Sequence, residues 1–268
     1  MPSLPLPCLG DVATWLRAEY PLRLAESWDN VGLLAGDERA EVARIMTCLT
    51  ITPESAEEAI QEQANLIVTH HPLPFHALKR LTTEVTSTRL LWHLARAGVA
   101  VYSPHTAFDS AAKGINQLAL ERLGCGQIRP LVPRLNDPDG LGAGRCGDLP
   151  AALSLLDLAA RIKTLYDLSS VQLVGAPDRM VARCASACGS GGSFVAAAAD
   201  NHCDLLLTGE ASFHDCLEAR ARQLSLILVG HYASERFGVE HLATQLRAQF
   251  PTLQVWPSRH ESDPVSLG

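Results

Sequence analysis

The sequence predicts an α/β fold built from two similar halves, and three observations predict it. Short apolar strand candidates alternate with amphipathic helix candidates along the chain. Segments of the first half recur, in the same order, in the second. Histidines stand at the ends of three of the strand candidates. The expected architecture is two α/β halves related by internal duplication, with mixed, mostly parallel sheets flanked by helices and a metal site between the halves. The expected bounds are 1–129 for the first half, 130–150 for a loop-rich connector and 151–268 for the second half, whose C-terminal part completes the metal site.

Residues 11–16 open a short helix with Asp11 as its N-cap. Trp28-Asp29-Asn30, followed by Val31-Gly32, reads as a tight turn entering a strand at 31–35. Asp29 is either an Asx-turn residue holding the backbone or a group that orients a metal ligand. Residues 42–49 form the next strand candidate. Thr52-Pro53-Glu54 starts a helix, with Thr52 as N-cap and Pro53 at the first position. That helix feeds Leu66-Ile67-Val68-Thr69, an apolar run stopped by His70-His71-Pro72. A strand, a helix and a strand over about 30 residues make a parallel βαβ unit. Sites in this architecture lie at the carboxyl ends of the strands. Neighbouring residues on a strand point to opposite faces, so His70 and His71 converge only where the chain turns.

A helix at 87–97 closes at Gly98, and the strand 99–102 runs on toward His105 and Asp109. A helix at 113–123 closes at Gly124. From Pro130 to Pro150 the prolines, the Asn-Asp-Pro-Asp run and Gly140, Gly142, Gly144 and Gly147 read as a connector. A helix at 154–165 and strands at 171–174 and 181–187 follow. Gly189-Ser190-Gly191-Gly192-Ser193 then either cradles a phosphate or closes tightly against a packed helix at 194–199. It lacks the lysine of a P-loop and the spacing of a dinucleotide fingerprint. The strand 226–229 runs into Gly230-His231.

The internal echoes draw their weight from their shared order. Cys203-Asp204-Leu205-Leu206-Leu207-Thr208 repeats Ala64-Asn65-Leu66-Ile67-Val68-Thr69, and His231 with Glu235 repeats the spacing of His105 with Asp109. Phe213-His214 echoes Phe75-His76 one residue out of register, and 238–243 echoes 114–119. Gly209 and Glu210 stand where the first half has its paired histidines, so the duplication diverged at the ligands.

A site drawn from His70, His71, Asp109, His231 and Glu235 offers three imidazoles and two carboxylates. That exceeds the needs of one four-coordinate zinc with an open position. It suits two divalent ions about 3.5–4 Å apart. Zinc, iron, manganese, cobalt and nickel all accept such donors. The expected chemistry is hydrolytic, with an activated water as nucleophile. His105 and His214 are the candidates for moving protons, or else histidines that pack or orient. His76, His93, His202, His241 and His260 read as structural or surface residues.

Composition narrows the partners. A net charge of −7, from 22 basic and 29 acidic residues in 268, argues against a general nucleic-acid binder. Eight scattered cysteines form no CxxC pair and read as reduced thiols of a cytoplasmic protein. Met1-Pro2-Ser3-Leu4-Pro5 lacks the start of a signal peptide. No apolar run reaches the roughly 20 residues of a membrane span.

Six motifs, in order and over nearly the whole chain, resemble those of the Nif-three-like family. They are Trp28-Asp29-Asn30-Val31-Gly32-Leu33, Thr69-His70-His71-Pro72, His105-Thr106-x-x-Asp109, Gly144-Arg145-Cys146-Gly147-Asp148-Leu149-Pro150, Thr208-Gly209-Glu210 and Gly230-His231-x-x-x-Glu235. Members are also described as dinuclear metal-centre hexameric proteins, or as type 2 homologues of GTP cyclohydrolase I. The resemblance implies a toroidal homohexamer with a two-metal site in each subunit, facing the inner cavity. Its ligands fall on His70, His71, Asp109, His231 and Glu235. Leu73-Pro74-Phe75 departs from the glycine and small or polar residues that many members carry after His-His-Pro, which bears on the pocket rim. The length resembles the shorter bacterial members, without an inserted central domain.

Two functions of different class follow. One is a metal-dependent hydrolase acting on a nucleotide, with GTP ring opening as its most specific version; no base-recognition motif is evident. The other is a non-catalytic metal-binding, metal-carrier or regulatory interaction protein. A hexameric scaffold gripping nucleic acid suits a ring but not the negative charge.

Overall fold

Strand–helix–strand crossovers organise the chain, because parallel neighbours need a long connection between them. The structure is a computed structural model that describes residues 5–266. Met1 to Leu4, which carry most of the stretch read against a signal peptide, lie outside the described residues. In chain order, α1 (Leu9–Glu19) precedes β1 (Gly32–Ala35) and β2 (Arg44–Cys48). Then come α2 (Pro53–Gln61), β3 (Leu66–Thr69), α3 (Thr86–Arg96), β4 (Ala100–Ser103), α4 (His105–Ser110) and α5 (Ile115–Arg122). The chain continues through β5 (Gly126–Pro133), β6 (Gly142–Ser154), α6 (Leu155–Tyr166), β7 (Gln172–Val174), β8 (Met180–Ser190) and α7 (Val195–Asp200). It ends with β9 (Leu205–Glu210), α8 (Phe213–Ala221), β10 (Ser225–Leu228), α9 (His231–Gln249) and β11 (Gln254–Pro257).

The chain divides into two compact units. The first runs to Phe108 and resumes at Gly238; the second is Asp109–Phe237. In the first unit a five-stranded sheet has the order β1-β4-β3-β2-β11. Only β1 is antiparallel; β4, β3, β2 and β11 run parallel. Met46, Ile67, Val101, Leu90, Leu91, Leu94 and Trp256 pack one core of this unit. Thr52 caps α2, its Oγ1 accepting from Ser55 N at 3.3 Å, with Pro53 in the first turn, as its sequence predicts.

The second unit has a six-stranded mixed sheet, β5-β6-β8-β9-β10-β7, in which β8, β9 and β10 are parallel. Leu205 and Leu207 face one core, with Leu155, Leu158 and Ile162. Leu206 faces the other, with Cys146, Ala185 and Val195. The central strands are thus buried on both faces, which is why they read as unbroken apolar runs. The sequence echoes pair β3 with β9, and the start of α4 at His105 with the start of α9 at His231. The two sheets differ in strand number and order.

Two expectations are corrected, and one strand is added. The stretch 130–150 is not an irregular connector: it contributes to the antiparallel pair β5–β6, well inside the second unit. Gly142, Gly144 and Gly147 mark close backbone approach, since a Cβ on Gly142 would sit 2.1 Å from Val132 O. Asp11 is not the N-cap of α1; Cys8 is, and the Asp11 carboxylate accepts from Cys8 N at 2.9 Å. Residues 254–257, unassigned from sequence, extend the first sheet as β11 beside β2. No helix among the described residues is long and apolar enough to cross a membrane.

Candidate metal centre

Main-chain pairing carries the two histidines beyond the end of β3. His70 N donates to Cys48 O at 3.0 Å and His71 N to Leu49 O at 2.8 Å, continuing the alignment with the chain leaving β2. Ser103 Oγ, at the end of β4, donates to His70 O at 2.6 Å. His71 Nδ1 lies 2.7 Å from Thr50 Oγ1, which fixes that ring. Glu261 in turn holds the 49–50 turn, accepting from Leu49 N at 2.8 Å and Thr50 N at 2.5 Å.

His105 opens α4 with a φ of 29°, an uncommon conformation for a residue with a side chain. Its Nδ1 lies 2.7 Å from Asp29 Oδ1, and the Asp29 side chain is fully buried. Asp29 also accepts from Thr106 N at 3.2 Å and from the Thr106 hydroxyl. Burial alone would raise the Asp29 pKa. The hydrogen bonds from His105 and Thr106 outweigh it and hold the carboxyl below its ordinary value. Of the two readings of Asp29, the orienting one describes its contacts, though it also bonds to Asn30 N at 2.8 Å in the turn. A carboxylate can only accept, so His105 carries its proton on Nδ1 and presents Nε2.

Ligand nitrogens of His70, His71 and His105 lie within 4.8 Å of one another. His70 and His105 are buried and His71 half-buried. His70 and His71 offer imidazoles that suit a divalent cation of the zinc, iron or cobalt type, and His105, locked at Nδ1, stands beside them. His105, read from sequence as a candidate for moving protons or else for packing or orienting, therefore stands beside His70 and His71.

In the second unit the ends of β9 and β10 lead into further carboxylate and imidazole groups. Gly230, at a φ of 88°, turns the chain from β10 into α9, which begins at His231. His231 Nε2 lies 3.2 Å from Glu235 Oε2, one turn on, and Nδ1 3.5 Å from Glu210 Oε2 at the end of β9. The Glu235 hydrogen bond does most to raise the His231 pKa to about 9; burial opposes it, and the charges of Glu235 and Glu210 add to it. Asp109 accepts from Cys188 Sγ at 3.1 Å, and Asn116 Nδ2 holds its carbonyl at 3.2 Å. Burial, then Asp109 and Glu235, push the Cys188 thiol well above its usual pKa, so it remains a neutral donor.

The glycine-rich turn finds its reason here. A Cβ on Gly189 would lie 2.4 Å from Glu235 Oε1, and one on Gly209 2.9 Å from His231 Cα. Gly191 and Gly192 are similarly blocked by Thr208 Oγ1 at 2.3 Å and Asp215 Oδ2 at 2.2 Å. Tight packing, rather than a phosphate cradle, accounts for the run. His214 stands exposed in the first turn of α8 beside Phe213, not among the side chains gathered around His231.

Sequence reasoning passed over Glu261, Thr50 and Arg145 as functional supports. Arg145 is 1% exposed, and its guanidinium donates to Ser110 O at 2.6 Å and Ala111 O at 2.7 Å, the carbonyls that close α4 behind Asp109. It also bonds Gly142 O and Gly144 O, and burial lowers its pKa to about 10. Its motif signalled that it mattered; only the fold shows what it holds.

The chain is similar to known proteins over almost its full length. It is 35% identical over 263 residues to "Protein NIF3 homolog" of Schizosaccharomyces pombe, covering 92% of this chain and 93% of that one. It is 31% identical over 215 residues to "GTP cyclohydrolase 1 type 2 homolog" of Clostridium acetobutylicum, covering 80% of each. Among solved structures, a Bacillus cereus protein related to NIF3 superposes with a TM-score of 0.89 at 21% identity, covering 99% of this chain and 100% of that one. A Staphylococcus aureus hypothetical protein does so with 0.88 at 26%, covering 98% and 99%. With residues 8–264 matching the family described as Duf34/NIF3 (NGG1p interacting factor 3), the chain belongs to that family.

Proposed function

We propose that this chain is a dinuclear metal-dependent hydrolase acting on a nucleotide. His70, His71, Asp109, His231 and Glu235 hold two divalent ions and His105 moves protons. The convergence of three imidazoles, with two rings locked at Nδ1, carries the reading. The name of the Clostridium relative supports the nucleotide and its ring-opening version. Divalent ions at such a site supply an acidified water and a Lewis acid for a substrate oxygen. Asp29 fixes the His105 tautomer, leaving Nε2 to accept or return a proton. Proton transfer falls to His105 rather than His214, because only His105 is buried and oriented by a carboxylate.

The test is a metal count per chain on native protein, then turnover of metal-loaded protein with GTP, other nucleoside triphosphates and simple phosphoesters. About two ions per chain, lost in His70→Ala, with turnover of one nucleotide, is the expected result. No turnover from a demonstrably filled site removes the hydrolase and keeps the metal site.

The family description, which names an interacting factor, favours a second reading as a metal carrier or regulatory interaction protein. Glu235→Gln separates them: a catalyst loses turnover, a carrier loses only affinity. With either reading we propose a toroidal homohexamer in the cytoplasm, on the strength of the motif resemblance and the thiol-rich composition. Light scattering checks the assembly, and a monomer removes it.

A further inference from the structure

Two large aromatic side chains stay in water beside the histidine cluster. Trp28 is 57% exposed and Phe75 is 42% exposed. Their rings stack, with centroids 5.9 Å apart and planes 27° from parallel. Both rings also meet His105 edge-on, at 6.0 and 5.9 Å between centroids. An isolated exposed aromatic needs no explanation, but a stacked pair against a buried polar residue does.

The pair is held in place without being buried. Asp29, next to Trp28, is fastened to His105 and Thr106. Asn30 Nδ2 donates to Pro74 O, next to Phe75, at 2.8 Å. Glu26 N donates to Thr106 Oγ1 at 3.0 Å. These bonds tie the Trp28 turn to the loop that carries Phe75 and to the start of α4. The rings are therefore pre-positioned, and their exposed faces lose little further freedom when something stacks on them.

We propose that Trp28 and Phe75 form a stacking platform for a flat heteroaromatic ring of the nucleobase class, placing that ring beside His105. The proposal rests on the hydrolase reading, which it deepens by naming what part of the substrate is gripped. The unusual Leu73-Pro74-Phe75 segment thus gains a physical role, because Phe75 supplies half the platform. Every base has a π-face, so the platform selects rings over sugars without choosing among bases.

The experiment uses the full-length chain and its Trp28→Ala, Trp28→Phe and Phe75→Ala variants, each checked for metal content and circular dichroism. Calorimetry measures binding of guanosine 5′-monophosphate, with ribose 5-phosphate as the ringless control. Guanosine 5′-monophosphate is expected to bind at least about tenfold more tightly than ribose 5-phosphate. Trp28→Ala should weaken it about tenfold or more, the scale of one lost base stack, and Trp28→Phe by less than about threefold. Equal binding of the two probes overturns the platform, as does unchanged nucleotide binding in Trp28→Ala or no binding by the native chain. It is also overturned if Trp28→Ala binds the nucleotide normally while losing oligomeric mass, since the patch then joins copies of the chain. Turnover enters none of these readouts, so absence of hydrolysis and absence of ring binding are separately visible.

Discussion

Asp29 keeps its negative charge inside the protein because four donors from three residues reach it. Its value lies in which nitrogen of His105 it claims. Asp29→Asn preserves the shape and surrenders the fixed tautomer. We expect turnover to fall about 10²–10⁴-fold, with metal content unchanged, as read by kcat alongside elemental analysis. Arg145 poses a harsher case. Its guanidinium serves four carbonyls, and Arg145→Met strips all four of that donor while keeping them buried. A loss of about 3 kcal/mol or more is expected, measured by urea unfolding.

Among the elements, the C-terminal segment shows most clearly what local pattern conceals. Glu58 on α2 accepts from Trp256 Nε1 at 3.1 Å, Ser258 Oγ at 2.6 Å, Arg259 N at 3.0 Å and His260 N at 3.1 Å. Burial favours its neutral form, but these bonds prevail and hold its pKa below the ordinary carboxyl value. A carboxyl depressed in the folded state stabilises fully above its unfolded pKa, about 4.3. That contribution is lost as pH falls through the lower folded value. Glu58→Gln should therefore cost about 2 kcal/mol at pH 7, and the gap from wild type should close in acid. Denaturant titrations at pH 7 and pH 3 check this. One turn of chain later, Glu261 holds the Thr50 segment that orients His71. Glu261→Gln should weaken metal retention about tenfold, read by competition with a chelator.

The sequence made α2, β3, α3 and β4 readable, because each carries its own cap or apolar run. It hid β11, whose four residues acquire meaning only by pairing with β2 some 200 positions earlier. It misrepresented β6, where glycine spacing that ordinarily marks a loop instead marks strands pressed together. His105 was half legible: the residue was visible, its companionship with His70 and His71 was not. Asp29 was open between a turn residue and an orienting group until the fold placed it on His105, and Thr50 needed the fold outright, since nothing local links it to an imidazole.

For the molecule as a whole, a filled metal site should stabilise the folded state by mass action. With zinc or cobalt at about 1,000 times its dissociation constant, the gain is about 4 kcal/mol. Thermal unfolding should shift upward on metal addition in the native chain, and His71→Ala should abolish the shift.

The first unit is interrupted: its sheet waits for β11, which lies beyond the entire second unit in the chain. A ribosome adding about 5–20 residues each second therefore completes the inserted body while β2 still presents an unsatisfied flank. For those seconds the nascent chain offers other nascent chains a strand to pair with. Truncations that remove β11 would make that interval permanent, and insolubility rather than inactivity is the outcome that the topology dictates for them.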